Sequence, residues 1–132
     1  MLRSTLAIIL AVITWFVVAT IGNRILRAVL PGYSAVEVSL NFTLTMMICR
    51  LILGLVSSLC AGFLCAVIAG RISVAPRITA VIMVVLFLPS HYMLWTKFPV
   101  WYHLFFLLTL VPTILIGAAV RRGLQVTSPA VS

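Results

Sequence analysis

The feature that most constrains the fold of this chain is an uncharged run at 51–70, bounded by Arg50 and Arg71. At a rise of about 1.5 Å per residue, a helix over these residues is about 30 Å long, which matches the hydrocarbon thickness of a bilayer. Three further apolar runs have the same character. They cover residues 6–22, 78–95 and 100–120. The sequence therefore predicts an all-α membrane protein with four transmembrane helices in an antiparallel bundle.

Composition excludes an ordinary soluble domain. Hydrophobic residues make up 64% of the chain and charged residues 8%, whereas charged residues are about 25% of a soluble domain. The net charge of +8 comes from basic residues at the ends of the apolar runs and not from one helix face. This pattern is typical of topology signals and anionic-lipid contacts. We therefore expect membrane lipids as partners and no nucleic acid.

The breaks between the apolar runs predict a single transmembrane domain over 1–132. Pro31 and Gly32 end the first helix, and the four residues 96–99 make a hairpin so short that the last two helices must be antiparallel neighbours. The predicted helices cover about 5–29, 34–70, 77–95 and 100–121.

The second predicted helix begins well before its apolar run. Ser34 and Glu37 have the spacing of a capping box, and neither Pro nor Gly interrupts the chain before Gly54. We therefore predict a helix over 34–70, continuous or nearly so. Glu37, Asn41 and Thr45 would form a polar stripe over its first turns, where Glu37 could meet the basic residues that end the first helix.

Orientation follows from the distribution of basic residues. Five arginines fall on the side of the two termini, against three basic residues on the other side, with Arg50 at its border. The positive-inside rule then predicts a multi-pass protein with both termini in the cytoplasm. The five are Arg3, Arg71, Arg77, Arg121 and Arg122.

Small residues recur at every fourth position of the second helix, at Gly54, Ser58, Gly62, Ala66 and Gly70. Small side chains let two helix backbones approach closely in a membrane, where no hydrophobic effect drives helices together. This surface is predicted to be either a helix-packing face inside the bundle or a docking face for another subunit. In both cases the second helix should be the most buried of the four.

Six polar residues are candidates for function. Arg50 is either an interfacial anchor or, with Glu37, Asn41 and Thr45, part of a polar pathway or interface. His91 and His103 have matching depths in neighbouring helices, so they could approach each other. They are candidates for ligation of haem or bacteriochlorophyll, or else ordinary interfacial residues. No metal site is predicted, and bound lipid is the expected non-protein component.

Catalytic arrangements are excluded by count. The chain has no Asp and one Glu, so it has neither a Ser-His-Asp triad nor a pair of carboxylates, and it lacks a Gly-rich phosphate loop. The three cysteines are interpreted as small apolar helix residues. We therefore predict that the protein is not an enzyme.

Two stretches carry a resemblance. The first is Ala61-Gly62-Phe63 with Ala66, Ile68-Ala69 and Arg71, and the second is 98–103 followed by Pro112 and Gly117-Ala118. Over residues 50–122 the chain resembles small four-helix bacterial inner-membrane proteins that have no assigned function. The resemblance implies a bacterial inner membrane and nothing about activity.

The sequence thus predicts an accessory or structural subunit of a larger inner-membrane complex, partnered by other integral membrane subunits. One alternative is a small homo-oligomeric transporter or channel, in which the chain partners itself and the pathway lies between protomers. Another is a helix bundle that carries a pigment or haem on His91 or His103.

Overall fold

The computed structural model describes residues 2–37, 39, 42–70 and 73–127. Among these residues the helices, in chain order, are α1 Leu2–Val29, α2 Tyr33–Glu37, α3 Leu44–Ala69, α4 Ala75–Met93 and α5 Val100–Thr127. All except α2 are long and apolar enough to cross a membrane. The chain is an all-α, multi-pass integral membrane protein with a four-helix bundle, as the sequence predicted.

The four long helices alternate in direction. Arg3 at the start of α1 donates a hydrogen bond to the carbonyl of Ile68 at the end of α3. Arg122 near the end of α5 donates to the carbonyl of Ser73, which precedes α4. We call this end of the bundle the Ser73 end. At the opposite end, the Tyr33 end, α1 and α4 finish and α3 and α5 begin.

Helix α3 is the central helix of the bundle. In its most apolar 18-residue stretch 44% of the residues are buried, against 17% in α1, 28% in α4 and 33% in α5. The predicted deep burial of this helix is therefore confirmed. Small residues allow it, because Gly62 lies against the backbone of Ile114 in α5 and Gly117 of α5 lies against the backbone of Leu59. A Cβ atom at either glycine would overlap a carbonyl of the facing helix.

Several polar side chains of the interior find partners within the chain, as a bundle in lipid requires. Trp15 of α1 is buried and donates from Nε1 to Oγ of Ser58 in α3 at 3.0 Å. Ser58 in turn donates to the carbonyl of Gly54 at 2.8 Å. Cys65 and Thr79 lie 3.5 Å apart, Sγ to Oγ1, and link α3 to α4. These contacts fix the relative positions of α1, α3 and α4.

The predicted helix over 34–70 is confirmed over most of its described length, but it is not continuous. The short α2 ends at Glu37, Phe42 and Thr43 are not helical, and α3 begins at Leu44. Thr43 is the N-cap of α3, because its Oγ1 accepts a hydrogen bond from the N–H of Met46 at 3.3 Å. Phe42 is buried, with its ring 5.3 Å from Tyr33 and 5.8 Å from Phe98 between centroids. A cap and a buried aromatic side chain therefore stabilise the break.

The predicted capping box is also corrected. Helix α2 begins at Tyr33, after Gly32 with φ of 77°, so Ser34 lies inside the helix and is not its N-cap. The side chain of Glu37 and the whole of Asn41 lie outside the described residues, so the polar stripe and its contact with basic residues stay predictions. Thr45 lies exposed in the first turn of α3.

The other long helices differ from prediction mainly at their ends. α4 begins and ends two residues earlier than predicted, and α5 continues past Arg122 to Thr127. Pro76 lies at the start of α4, where its missing N–H costs no hydrogen bond. These shifts leave the number and order of the membrane spans unchanged.

Candidate functional site

A cavity of about 490 Å³ lies at the Tyr33 end of the bundle. All four long helices and the segments that precede α3 and α5 contribute to its wall. Its volume is within the range of about 300–1,000 Å³ that is usual for small-molecule sites. The side chains that define its chemistry are Asn23, Arg50, His91, Tyr102, His103 and Phe106.

Arg50 is the charged group of this cavity. It lies in the second turn of α3, partly buried, and its Nη1 donates to the hydroxyl of Tyr33 at 2.7 Å. Its Nε donates to the hydroxyl of Tyr102 at 3.4 Å. The ring centroid of Phe42 is 4.8 Å from Cζ, which is a cation–π distance. Neutral aromatic side chains from three parts of the chain thus hold the guanidinium in place.

Tyr33 connects Arg50 to the first helix. The side chain of Tyr33 is fully buried, and its hydroxyl donates to Oδ1 of Asn23 at 2.7 Å while it accepts from Arg50. The amide of Asn23 lies directly after the apolar run of α1, where a polar group near the membrane interior needs a partner within the protein. The three side chains form a hydrogen-bonded series that links α1, α2 and α3.

Among the described side chains that line the cavity, the one with a permanent charge is that of Arg50. The only acidic residue of the chain is Glu37, and no carboxylate lines the cavity in the part of the chain that the structure describes. Hydrogen bonds from phenols and a ring face orient the guanidinium, but they do not neutralise its charge. A cation held away from bulk water without a counter-charge is costly. An anion in this cavity would therefore be favoured.

His91 of α4 and His103 of α5 form the opposite wall. Their Nδ1 atoms are 2.6 Å apart, so the predicted approach of the two rings is confirmed. In the neutral pair one Nδ1 carries the proton and donates it, and the other accepts. Both rings are buried, and the ring of Trp95 stacks on His103 with centroids 4.9 Å apart. The pair therefore ties the last turn of α4 to the first turn of α5.

This arrangement does not place a metal ion between the two bonded nitrogens. Two nitrogen ligands on opposite sides of one metal lie about 4 Å apart, because each bond is about 2.0 Å long. The observed separation is 2.6 Å. Within the described ranges, no three residues among His, Cys, Asp and Glu gather into a metal-binding group. Ligation of haem or bacteriochlorophyll by His91 or His103 stays a prediction from the sequence.

Aromatic rings form the deep side of the cavity, near the middle of the bundle. Trp15 and Phe87 lie 4.6 Å apart between centroids, and Phe87 and Phe106 lie 5.0 Å apart. Gly54 makes room for this cluster, since a Cβ at that position would be 3.0 Å from the ring of Phe106. The cavity therefore has polar groups near the helix ends and an apolar floor.

Comparisons with protein-family models, with curated proteins and with solved structures find no match to this chain. The resemblance of residues 50–122 to small bacterial inner-membrane proteins stays a prediction.

Most of the small-residue surface of α3 lies outside the cavity. Of its five members, Gly54 lines the cavity, while Ser58, Gly62 and Ala66 are buried between helices and Gly70 is the C-cap of α3. This surface is therefore occupied inside the chain as a helix-packing face. Its alternative role as a docking face for another subunit stays a prediction.

Sequence reasoning missed three residues of the site. They are Tyr33, Tyr102 and Asn23, none of which the sequence analysis singled out. The available signal was that a polar group in or beside an apolar membrane span must find a partner in the protein. Arg50 is the partner of both tyrosines, and Tyr33 is the partner of Asn23.

Proposed function

We propose that this chain is a non-enzymatic integral membrane protein that binds a small anionic amphiphile in the cavity at the Tyr33 end. The carboxylate or phosphate of the ligand would lie on Arg50, and its apolar part would lie against the rings of Trp15, Phe87 and Phe106. The observation that carries this proposal is the position of Arg50, held in the cavity by phenols and a ring face.

The chemistry of the guanidinium favours an anion over a neutral ligand. A guanidinium has five N–H donors in a planar fork, and this shape matches the two oxygens of a carboxylate or phosphate. Two of these groups, Nη1 and Nε, already donate to Tyr33 and Tyr102. A pair of charge-assisted hydrogen bonds in this partly dehydrated position would contribute several times what an exposed ion pair does.

The proposed topology puts the cavity on the outer side of a bacterial inner membrane and both termini in the cytoplasm. Arg3, Arg77, Arg121 and Arg122 are the described arginines that support a cytoplasmic Ser73 end. The resemblance of residues 50–122 supports the bacterial inner membrane as the compartment.

The accessory-subunit hypothesis stays a prediction, and both of its structural supports have changed. The small-residue surface packs inside the chain, and α3 begins at Leu44 and does not extend to residue 34. The transporter hypothesis places a pathway between protomers. The cavity lies within one chain, so a ligand can bind there without a second protomer.

Binding of an anion can be tested by thermal unfolding of the protein in a neutral detergent. Decanoate should raise the unfolding temperature more than decanol, which has a similar apolar chain and no charge. R50Q should lose this difference, with an affinity loss of about tenfold or more, since a charged hydrogen bond is worth about 1.5–3 kcal/mol. K97Q is the matched control, because it removes an exposed charge at the same end of the bundle.

R50K retains the charge and should keep part of the preference for decanoate. E37Q should bind decanoate at least as tightly as the natural protein, because it removes the only competing carboxylate of the chain. Equal stabilisation by decanoate and decanol, or an equal response in R50Q and K97Q, would contradict the proposal.

The same gently purified sample also tests the alternatives. Foreign subunits in stoichiometric amounts by mass spectrometry would favour the accessory-subunit hypothesis, and a visible absorption band would favour a haem or pigment carrier.

A further inference from the structure

A second cavity, of about 480 Å³, lies at the Ser73 end of the bundle. The start of α4 and the later turns of α5 form its wall, together with the residues just before α4. Two arginines line it, Arg77 of α4 and Arg122 of α5, and its apolar side includes Val74 and Leu115. It is separate from the cavity that holds Arg50.

Arg122 is held in position by the backbone before α4. Its Nη2 donates to the carbonyl of Ser73 at 2.8 Å, and its buried Nε has no hydrogen-bond partner among the described residues. Ser73 is itself fixed, because its Oγ accepts from the N–H of Ala75 at 3.1 Å and lies 3.3 Å from Oγ of Ser4. A fixed guanidinium loses little side-chain entropy when an anion binds to it.

The start of α4 adds to the positive potential of this cavity. The macrodipole of a helix places partial positive charge at its N-terminus. The N–H of Ala75 already donates to Oγ of Ser73, and those of Arg77 and Ile78 donate to the carbonyl of Val74. The helix end therefore contributes its field, while the hydrogen bonds to an anion must come from the two arginines.

The lipid-facing side of α4 begins at this cavity. Val74, Ile78, Val81 and Val85 are 43–62% exposed, and their spacing places them on one side of the helix. A molecule with its phosphate between the arginines could keep an acyl chain along these side chains, within the bilayer. Free phosphate would make no use of this apolar surface.

We propose that the second cavity binds the headgroup of an anionic phospholipid, with the phosphate on Arg77 and Arg122. Basic pockets between transmembrane helices bind such headgroups on the cytoplasmic side of membranes. The lipid would bridge the start of α4 and the end of α5 where they meet at the Ser73 end. This inference is independent of the ligand proposed for the first cavity.

Native mass spectrometry of the protein in a neutral detergent, titrated with phosphatidylglycerol, tests the proposal. R77Q should bind this lipid about tenfold more weakly, as expected for the loss of a hydrogen bond between charged groups. R122Q should lose at least as much. R121Q is the matched control, because it removes the same charge from the neighbouring position of α5, which does not line the cavity.

Phosphatidylcholine and inorganic phosphate distinguish the source of the ligand. The natural protein should retain phosphatidylglycerol in preference to phosphatidylcholine, and inorganic phosphate should not displace it. R77Q leaves the bond from Arg122 to Ser73 intact, so its result stands even if R122Q fails to fold. Equal losses in R77Q and R121Q, or displacement of the lipid by inorganic phosphate, would overturn the proposal.

Discussion

Gly62 of α3 lies against the backbone carbonyl of Ile114 in α5, with no room for a side chain between the two helices. In a bilayer such a contact brings two backbones within dispersion range, which is the main attraction available to helices in lipid. The central position of α3 depends on this contact and on the one at Gly117.

Substitution of Gly62 should therefore destabilise the bundle. G62A should lower the free energy of unfolding by about 1–3 kcal/mol through overpacking, and G62L should prevent normal assembly. Thermal unfolding in detergent and the yield of monodisperse protein measure the two effects. G123A is the control, because a Cβ at Gly123 meets nothing within 4 Å. An unchanged unfolding temperature in G62L would refute the close crossing.

The two histidines should behave as a coupled pair. H91F or H103F alone leaves one buried Nδ1 without its partner, which should cost about 1–3 kcal/mol of stability. The double variant H91F/H103F should cost less than the sum of the two, because neither ring nitrogen then remains buried. Chemical or thermal unfolding of the four proteins gives the coupling energy. If the stability losses of the two single variants simply add in the double variant, the bond between the rings is contradicted. Y92F serves as the control, because Tyr92 is exposed.

Tyr33 should matter more to Arg50 than Tyr102 does. The hydroxyl of Tyr33 is 2.7 Å from Nη1 of Arg50 and also bonds Asn23, whereas the bond from Nε to Tyr102 is 3.4 Å long. Y33F should lower stability by about 1.5–3 kcal/mol, the usual value for a hydrogen bond to a charged group, and Y102F by less. Decanoate affinity and unfolding temperature should rank the variants in the same order. A larger effect of Y102F would reverse this assignment.

Labelling in intact cells should place the Tyr33 end outside. A single cysteine at Thr96, in a chain with its three natural cysteines replaced, should react with a membrane-impermeant maleimide. A cysteine at Gly123 should react only after the cells are opened. Ser73 is less suitable for labelling of this end, because its hydroxyl accepts a hydrogen bond from the start of α4. Ready labelling at Gly123 and none at Thr96 in intact cells would invert the topology.

The four membrane spans were predictable because each is a long apolar run with basic residues near its ends. The break in the helix before α3 was not predictable from sequence. Ser34, Asn41 and Thr43 are all residue types that cap helices, so local sequence could not rank them. The burial of Phe42 against Tyr33 and Phe98 decides in favour of Thr43, and that contact depends on the tertiary fold.

The candidate site was predictable only in part. The depths of His91 and His103 and their antiparallel helices were enough to bring them together. The partners of Arg50 were not predictable in the same way, because Tyr33 and Tyr102 reach it from segments that sequence does not place beside α3. The cavity itself arises from the way all four long helices meet, which no single apolar pattern encodes.

The two glycine contacts between α3 and α5 are equivalent to each other. Gly62 faces Ile114 and Gly117 faces Leu59, so each glycine lies three residues after the position that the other glycine contacts. Because α3 and α5 run in the same direction, this is the local two-fold symmetry of a contact between identical subunits. Helices α1 and α3 form one antiparallel pair, and α4 and α5 form another. The chain joins the two pairs through the kind of surface that one such pair would use to dimerise. That surface is occupied within one molecule, because each glycine already lies against the backbone of the facing helix.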